Sequence, residues 1–162
     1  MRAKSWSYRF AEEILNSKNV VKKELIQIVT SVATPYSELT RPRLNKELAN
    51  RFRERGWESP PRIGGMDSRI DFLKDRIGVK IAFTHPTFLG MDLLKFQIAS
   101  DSSLDLIDVG VYVVTTTDFR TALTKEYHLK WSDSLTFERV VEDLPSFKAV
   151  IHVPVYVIGL ET

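Results

Sequence analysis

The spacing of hydrophobic residues changes at Gly56, and this change constrains the fold more than any other feature of the sequence. Before Gly56 they recur every three to four residues, as along one face of an α-helix. After Gly56 they alternate with other residues, which is the period of a β-strand, at Ile70, Phe72, Ile77, Val79, Ile81 and Phe83. A helical part followed by strands and helices predicts an α/β domain with a mixed central β-sheet flanked by helices.

The helical part is predicted to contain three helices, over residues 7–15, 20–32 and about 44–55. The second ends near Pro35 because the residue before a proline avoids the helical conformation, and Gly56 supplies a left-handed stop for the third. In the second part, residues 69–84 predict a β-hairpin that turns at Lys74-Asp75-Arg76. A helix over about 87–100, a strand over 106–115, a short helix within 116–131, a helix over 134–143 and a closing strand over 149–160 follow.

The composition fits a single domain over residues 1–162, mainly helical over 1–57, and excludes several kinds of site. The chain has no cysteine, which excludes disulfides, thiolate zinc sites, iron–sulfur clusters and cysteine nucleophiles. Its net charge of +2 indicates no particular partner. We recognise no signal peptide and no membrane-spanning stretch, and therefore expect a cytoplasmic protein.

Three segments resemble one protein family in sequence and in order. The first runs from Leu44 to Trp57, the second from Ile70 to Phe83, and the third comprises residues 107–111 with 153–159. They resemble type II restriction endonucleases of the BglII/BstYI type, which belong to the PD-(D/E)XK nuclease superfamily. The resemblance implies a restriction-endonuclease-like fold in which residues 58–162 form the catalytic-type core.

The resemblance also implies a Mg²⁺-dependent nuclease of a defence system that acts on double-stranded DNA as a homodimer. In the family pattern an aspartate is followed nine positions later by glutamate, and two positions further by glutamine or another polar residue. These side chains hold metal ions that orient the attacking water. Here Asp71 matches the first position and is the candidate metal ligand, but Lys80 stands in place of the glutamate and Ala82 in place of the polar residue.

Lys80 and Ala82 have the spacing of the family pattern, but their side chains cannot bind a metal ion. Lys80 and Ala82 share one face of a strand because side chains alternate. An ammonium group repels Mg²⁺. At a separation of about 4 Å and an effective dielectric of about 20, the energy between two unit charges is ~4 kcal/mol, and it scales with the product of the charges. Two roles for Lys80 stay open, an ion pair with Asp71 that closes the pocket and a contact to a DNA phosphate.

Further candidates complete the predicted site. Glu54 is counted with the catalytic positions because its helix resembles one near the family's active site. The other acids that can supply a relocated metal ligand, none of them selected by spacing, are Glu58, Asp67, Asp75, Asp92 and Asp108. The candidate DNA-binding residues are Arg53, Lys74, Arg76, Arg120, Lys125 and Lys130.

We therefore expect a duplex DNA-binding protein with weak or silent cleavage, which needs Mg²⁺ only if it is active. Two alternatives remain: an active Mg²⁺-dependent endonuclease with a relocated acid, and a protein-interaction subunit that uses the fold without DNA. A two-fold homodimer is expected from the symmetry of palindromic sites, with Leu89 and Leu93 among the candidate interface residues.

Overall fold

In the computed structural model, residues 1–60 and 70–162 are described, and they form a five-stranded sheet with helices on both faces. The strands are β1 (Arg2–Tyr8), β2 (Phe72–Lys74), β3 (Ile77–Ile81), β4 (Val109–Thr115) and β5 (Val155–Glu161). The α-helices are α1 (Ala11–Ser17), α2 (Asn19–Thr30), α3 (Arg41–Glu54), α4 (Leu89–Ser100), α5 (Thr117–Lys125) and α6 (Phe137–Asp143). Short 3₁₀ turns cover Tyr36–Glu38, Pro86–Phe88 and Leu144–Phe147.

The strands lie in the order β1-β5-β4-β3-β2. The three central strands are parallel, and the two edge strands pair antiparallel to their neighbours. Every residue of β4 is buried, as expected of a central strand in a sheet covered on both faces. The predicted α/β fold with a mixed central sheet is confirmed.

Side chains from the two faces of the sheet form two hydrophobic core clusters. The first core cluster packs α1, α2, α3 and α5 against one face, and the second packs α4 and α6 against the other. Alternation along β4 divides its side chains between them, since Val111 and Val113 face the first cluster while Tyr112 and Val114 face the second. The backbone of β4 and helix α4 approach each other closely at Gly110, where an added Cβ would lie 2.7 Å from the Phe96 ring.

The predicted helix over residues 7–15 is wrong at its start, where the chain forms the edge strand β1. Polar residues dominate both faces of this strand, so its period of two is hard to recognise. Met1 and Ala3 pack on the first core cluster, whereas Trp6 and Tyr8 pack on the second. Two residues with positive φ, Arg9 and Phe10, then turn the chain into α1.

The β2–β3 hairpin turns at Asp75 and Arg76, as the sequence predicts. Both residues have left-handed backbone conformations, with φ values of 48° and 61°. Positive φ at both central positions is characteristic of the two-residue turn that matches the twist of antiparallel strands. Ion pairs from Lys18 to Asp75 and from Arg76 to Asp105 hold this unusual turn in place.

Three sequence expectations need correction in the second part of the chain. The helix expected from Ser134 begins at Phe137, because the Ser134 hydroxyl donates to the Trp131 carbonyl oxygen and Thr136 is the N-cap residue. The closing strand begins at Val155, later than expected. Leu89 and Leu93, the expected interface residues, are buried in the second core cluster.

None of the described helices is long and apolar enough to cross a bilayer.

Glu47 stabilises the connection between α2 and α3 through hydrogen bonds and an ion pair. Its carboxylate accepts hydrogen bonds from the Ala33 N–H at 2.6 Å and from the Thr34 hydroxyl at 2.6 Å, and it pairs with Arg51 at 2.9 Å. Burial opposes the charged form, but these hydrogen bonds outweigh it and lower the pKa of Glu47 from 4.5 to about 2. A carboxylate with a lowered pKa stabilises the folded state above its unfolded pKa and loses this contribution as the pH falls toward its folded pKa.

We predict that Glu47→Gln lowers the free energy of unfolding by about 2–3 kcal/mol at pH 7, an effect that disappears between about pH 4.5 and pH 2. Urea unfolding of both proteins across this range measures it. The exposed Glu13 is the matched control, and Glu13→Gln should change little. If Glu47→Gln lowered the free energy of unfolding equally at acid and neutral pH, the stabilisation would not come from the ionised carboxylate of Glu47.

Candidate functional site

Asp71 and Lys80 face each other across the β2–β3 pair, at the end away from the turn. The Asp71 backbone N–H donates to the Val79 carbonyl oxygen at 2.8 Å and continues the pairing one residue before β2. Lys80 Nζ lies 3.1 Å from Asp71 Oδ1, and the Ile81 N–H donates to Asp71 Oδ2 at 2.7 Å. Both carboxylate oxygens therefore have a donor, and the Lys80 side chain is only 18% exposed.

Ala82 follows β3 directly and lies in the second core cluster. Its side chain is fully buried, and its backbone N–H donates to the Val113 carbonyl oxygen at 2.8 Å. The position two residues beyond Lys80 thus contributes packing and no polar side-chain atom. A larger polar side chain there would enter a packed interior.

The described residues do not fit a Mg²⁺ site. Within residues 1–60 and 70–162, no group of three or more histidine, aspartate or glutamate side chains is placed to hold a metal ion. The carboxylate of Asp71 is instead paired with the ammonium group of Lys80. Asp67, one of the candidates for a relocated acid, lies outside the described residues.

A second ion pair is buried behind the first. Tyr112 is the β4 partner of Lys80 in the strand register, and its hydroxyl donates to Asp92 Oδ2 at 2.8 Å. Lys95 Nζ lies 3.1 Å from Asp92 Oδ1. Burial, followed by the nearby carboxylates of Asp92 and Asp71, raises the pKa of the Tyr112 hydroxyl well above its usual value. Asp92 therefore has both oxygens engaged and joins α4 to β4.

A cleft of about 440 Å³ opens between α3 and the hairpin, beside the Asp71–Lys80 pair. Helix α3 presents Asn45, Ala49 and Arg53 to this cleft, since residues four apart share one helix face. Thr84 lines it from the segment after β3. The structure thus brings three predicted site residues together, namely Arg53, Asp71 and Lys80.

Glu54, Lys74 and Arg76 do not line the cleft, so the structure does not bring them together with Asp71 and Lys80. Glu54 is exposed and is absent from the lining of the cleft, although its neighbour Arg53 lines it. Lys74 Nζ donates to Glu24 Oε1 at 2.8 Å and to the Arg55 carbonyl oxygen at 2.7 Å.

Arg76 lies at the turn, at the opposite end of β3 from Lys80. Its guanidinium group pairs with Asp105 and Asp108, and the Asp108 hydrogen bond is the largest cause of the raised pKa of Arg76. The same bond holds the pKa of Asp108 below its usual value. Arg76 and Asp108 therefore serve the packing of the turn.

Arg120, Lys125 and Lys130 follow the carboxyl end of β4, in α5 and the segment after it. Thr84 lies at the same end of the sheet, because it follows β3, which runs parallel to β4. Arg120 Nη1 donates to the Ser134 carbonyl oxygen at 3.1 Å, whereas the side chains of Lys125 and Lys130 are exposed. None of these three residues is among those that line the cleft, and their role in DNA binding stays a prediction.

Comparisons with known proteins agree with this fold. Over residues 3–160 the sequence matches the family described as restriction endonuclease BglII/BglIII. The fold is similar to that of restriction endonuclease BglII complexed with a DNA 16-mer, with a TM-score of 0.78 and 18% identity over 100% of this chain and 79% of that chain. It is also similar to free BglII, with a TM-score of 0.70 and 18% identity over 100% of this chain and 80% of that one. A comparison with curated protein sequences finds no match.

Proposed function

We propose that this chain, which belongs to the restriction endonuclease BglII/BglIII family, binds double-stranded DNA and cleaves it weakly or not at all. The observation that carries the proposal is the Lys80–Asp71 ion pair, with Nζ and Oδ1 3.1 Å apart. In this pair the ammonium group of Lys80 stands at the position where the family pattern has a second acid. The site thereby keeps an affinity for phosphate and loses an affinity for metal.

Two further observations support DNA as the partner. A similar structure, that of BglII, is a complex with a DNA 16-mer. In this chain Lys125 and Lys130, in α5 and the segment after it, have exposed side chains. Lysine and arginine side chains at such a surface displace counterions from the phosphate backbone and give a salt-dependent affinity.

Weak or silent cleavage follows from the donor set. In a nuclease site Mg²⁺ is held by one or two carboxylates that are free to bind it, together with substrate phosphate and water, and it orients a water molecule for attack on phosphorus. Asp71 is already paired with an ammonium group, and Ala82 offers no polar side-chain atom. Asp92 is one of the acids considered as a relocated ligand, and its pairing with Tyr112 and Lys95 argues against that role.

Binding and cleavage assays test the proposal directly. We expect a labelled duplex of randomised sequence to bind, with an affinity that falls steeply as salt is added. Supercoiled plasmid should remain intact in Mg²⁺ and in Mn²⁺. Cleavage that Asp71→Ala abolishes would establish the active-nuclease alternative. No duplex binding at any salt concentration would instead leave a protein-interaction subunit as the better description.

We also propose a two-fold homodimer, formed through the exposed face of α4 in place of the buried Leu89 and Leu93. Phe88, in the turn before α4, and Met91 and Leu94, in α4, are 54%, 44% and 38% exposed and lie three residues apart. A dimer matches the symmetry of the palindromic sites that the family resemblance implies.

Met91→Glu should convert the dimer to a monomer of 18.6 kDa in light scattering at tens of micromolar protein, because it places a charge within an apolar interface. Val20, which is 82% exposed on α2, provides the matched control, and Val20→Glu should leave the dimer intact. A wild-type chain that is monomeric both with and without duplex would overturn this assembly.

A further inference from the structure

We infer that Lys80 reacts as an amine nucleophile with abasic sites in DNA and cuts the strand there by β-elimination, without a metal ion. An abasic site is a deoxyribose that has lost its base, and its ring-opened form carries an aldehyde at C1′. The inference rests on the proposed DNA binding and assigns a second activity to the same cleft. The bond that breaks joins carbon to oxygen in the sugar, so the reaction is distinct from hydrolysis of the phosphodiester.

The placement of Lys80 is the observation that carries this inference. Among the described residues that line the cleft between α3 and the hairpin, Lys80 alone carries an amine. Its Nζ atom lies 3.1 Å from Asp71 Oδ1. An amine attacks a carbonyl carbon only in its neutral form, so a lysine of this kind needs a neighbouring group that takes its proton. Nucleophile and base are within hydrogen-bond distance here.

Asp71 is oriented to act as that base. The Ile81 N–H donates to its Oδ2 atom at 2.7 Å, which leaves Oδ1 facing Lys80. The backbone N–H of Asp71 also donates to the Val79 carbonyl oxygen at 2.8 Å, so the strand pairing fixes the position of the carboxylate. A base held by a third group is the arrangement that activates a nucleophile, and an exposed lysine lacks it.

Imine formation leaves a positive charge beside Asp71 throughout. The Lys80 ammonium passes one proton to Asp71, and the freed electron pair of Nζ forms a bond to C1′ of the aldehyde. The former carbonyl oxygen takes one proton from nitrogen and one from Asp71, and it leaves as water. An ammonium ion and an aldehyde thus become an iminium ion and water. The Asp71 carboxylate pairs with the cation on either side of this step.

Strand cleavage follows from the iminium ion. Asp71 removes a proton from C2′, and the C3′–O bond breaks with both of its electrons going to the departing phosphate. That phosphate takes the proton from Asp71. Water then hydrolyses the conjugated iminium ion, which releases an unsaturated aldehyde and restores the Lys80 ammonium. Water is the only co-reactant, and no metal ion takes part.

The cleft suits a nucleotide that has no base. Its volume of about 440 Å³ lies in the range of small-molecule sites. Moving a nucleotide out of a duplex costs unstacking and unpairing energy, and this cost is lowest for a damaged nucleotide. Asn45 and Arg53 line the cleft from α3, and their side chains carry N–H donors for the oxygens of the sugar and its flanking phosphates.

Reductive trapping tests the reaction directly. The substrate is an end-labelled duplex with one abasic site, incubated with the wild-type chain in EDTA. We expect strand cleavage at the abasic site, and addition of sodium borohydride should reduce the imine to a stable covalent adduct. Peptide mass spectrometry should locate this adduct on Lys80. A duplex with a tetrahydrofuran residue at the same position has no aldehyde, so it should bind equally well and be neither cut nor trapped.

Two variants separate the roles of the pair. Lys80→Met should lose the adduct, whereas Lys23→Met, which removes an exposed amine on α2, should keep it. Asp71→Asn should still be trapped, but it should cut the strand about 100-fold more slowly or worse, the contribution of a general base. A purely structural role of Asp71 would lower trapping and cutting together. The adduct is located on the wild-type chain, so the assignment does not depend on how well Lys80→Met folds.

The possible outcomes distinguish this activity from the proposed function. Salt-dependent duplex binding without an adduct would refute the reaction and leave the proposed function standing. An adduct spread over exposed lysines, with the same yield in Lys80→Met, would have the same meaning. An adduct on Lys80 with a single-stranded abasic oligonucleotide, without any duplex binding, would support the reaction and refute the proposed function.

Discussion

Lys80→Glu should make the folded state of this protein depend on a divalent cation. The substitution places a second carboxylate beside Asp71, in a pair whose side chains are only 18% and 30% exposed in the wild type. Removing one partner of a buried ion pair leaves the other charge uncompensated. We expect the free energy of unfolding to fall by about 3 kcal/mol in EDTA and to recover in part with Mg²⁺ or Mn²⁺, which bind the folded state.

Thermal unfolding with and without the metal ion measures this effect, and Lys80→Met is its control. The methionine variant loses the same ion pair without gaining a carboxylate, so metal should not stabilise it. Equal metal responses in the two variants would show that the cation binds elsewhere. We leave Ala82 unchanged, because it is fully buried and Ala82→Gln would strain the second core cluster.

Trp131→Ala should lower the free energy of unfolding by about 4 kcal/mol. Trp131 is fully buried, and its Nε1–H donates to the Leu39 carbonyl oxygen at 2.9 Å. Its ring packs edge-on against Phe83 and Phe119, with centroids 5.6 Å and 6.1 Å away. Truncation therefore leaves a cavity and an unsatisfied carbonyl oxygen in the first core cluster.

Urea unfolding of Trp131→Ala and Trp6→Ala measures the difference. Trp6 lies in the edge strand β1 and is only partly buried, so its truncation should cost about 1 kcal/mol. Losses of similar size in the two variants would contradict the central packing role of Trp131. A Trp131→Phe variant keeps most of the apolar volume and should lie between wild type and Trp131→Ala.

The parts of the fold that the sequence predicts well are those with a strong hydrophobic period. The stripe of Leu44, Leu48 and Phe52 predicts α3, which is a continuous helix with these residues buried. Alternating residues and a polar turn predict the hairpin. Strand β1 has no such signal because polar residues interrupt its hydrophobic alternation, and its pairing partners in β5 are more than 140 residues away in the chain.

The candidate site was predictable only where neighbours in space follow from local geometry. Asp71 and Lys80 meet because they pair across one hairpin. Lys74 and Arg76 look equally available in the sequence, but their partners come from distant segments, namely Glu24 for Lys74 and Asp105 with Asp108 for Arg76.

Other features of the site cannot be predicted from the sequence. The unpartnered hydroxyl of Thr84 is a property of three-dimensional packing. The Asp92–Lys95 spacing indicates a helical ion pair, but not its burial against Tyr112. Long-range partners of this kind can be assigned only once the sheet order is known.

The affinity for one duplex, measured in EDTA and again in Mg²⁺ at matched ionic strength, tests the central claim most directly. If Lys80 takes the place of the metal ion, the two dissociation constants should agree within about twofold, and both should rise steeply with salt. Binding that is tenfold or more tighter in Mg²⁺, accompanied by cleavage that Asp71→Ala abolishes, would contradict the claim and identify an active metal-dependent nuclease.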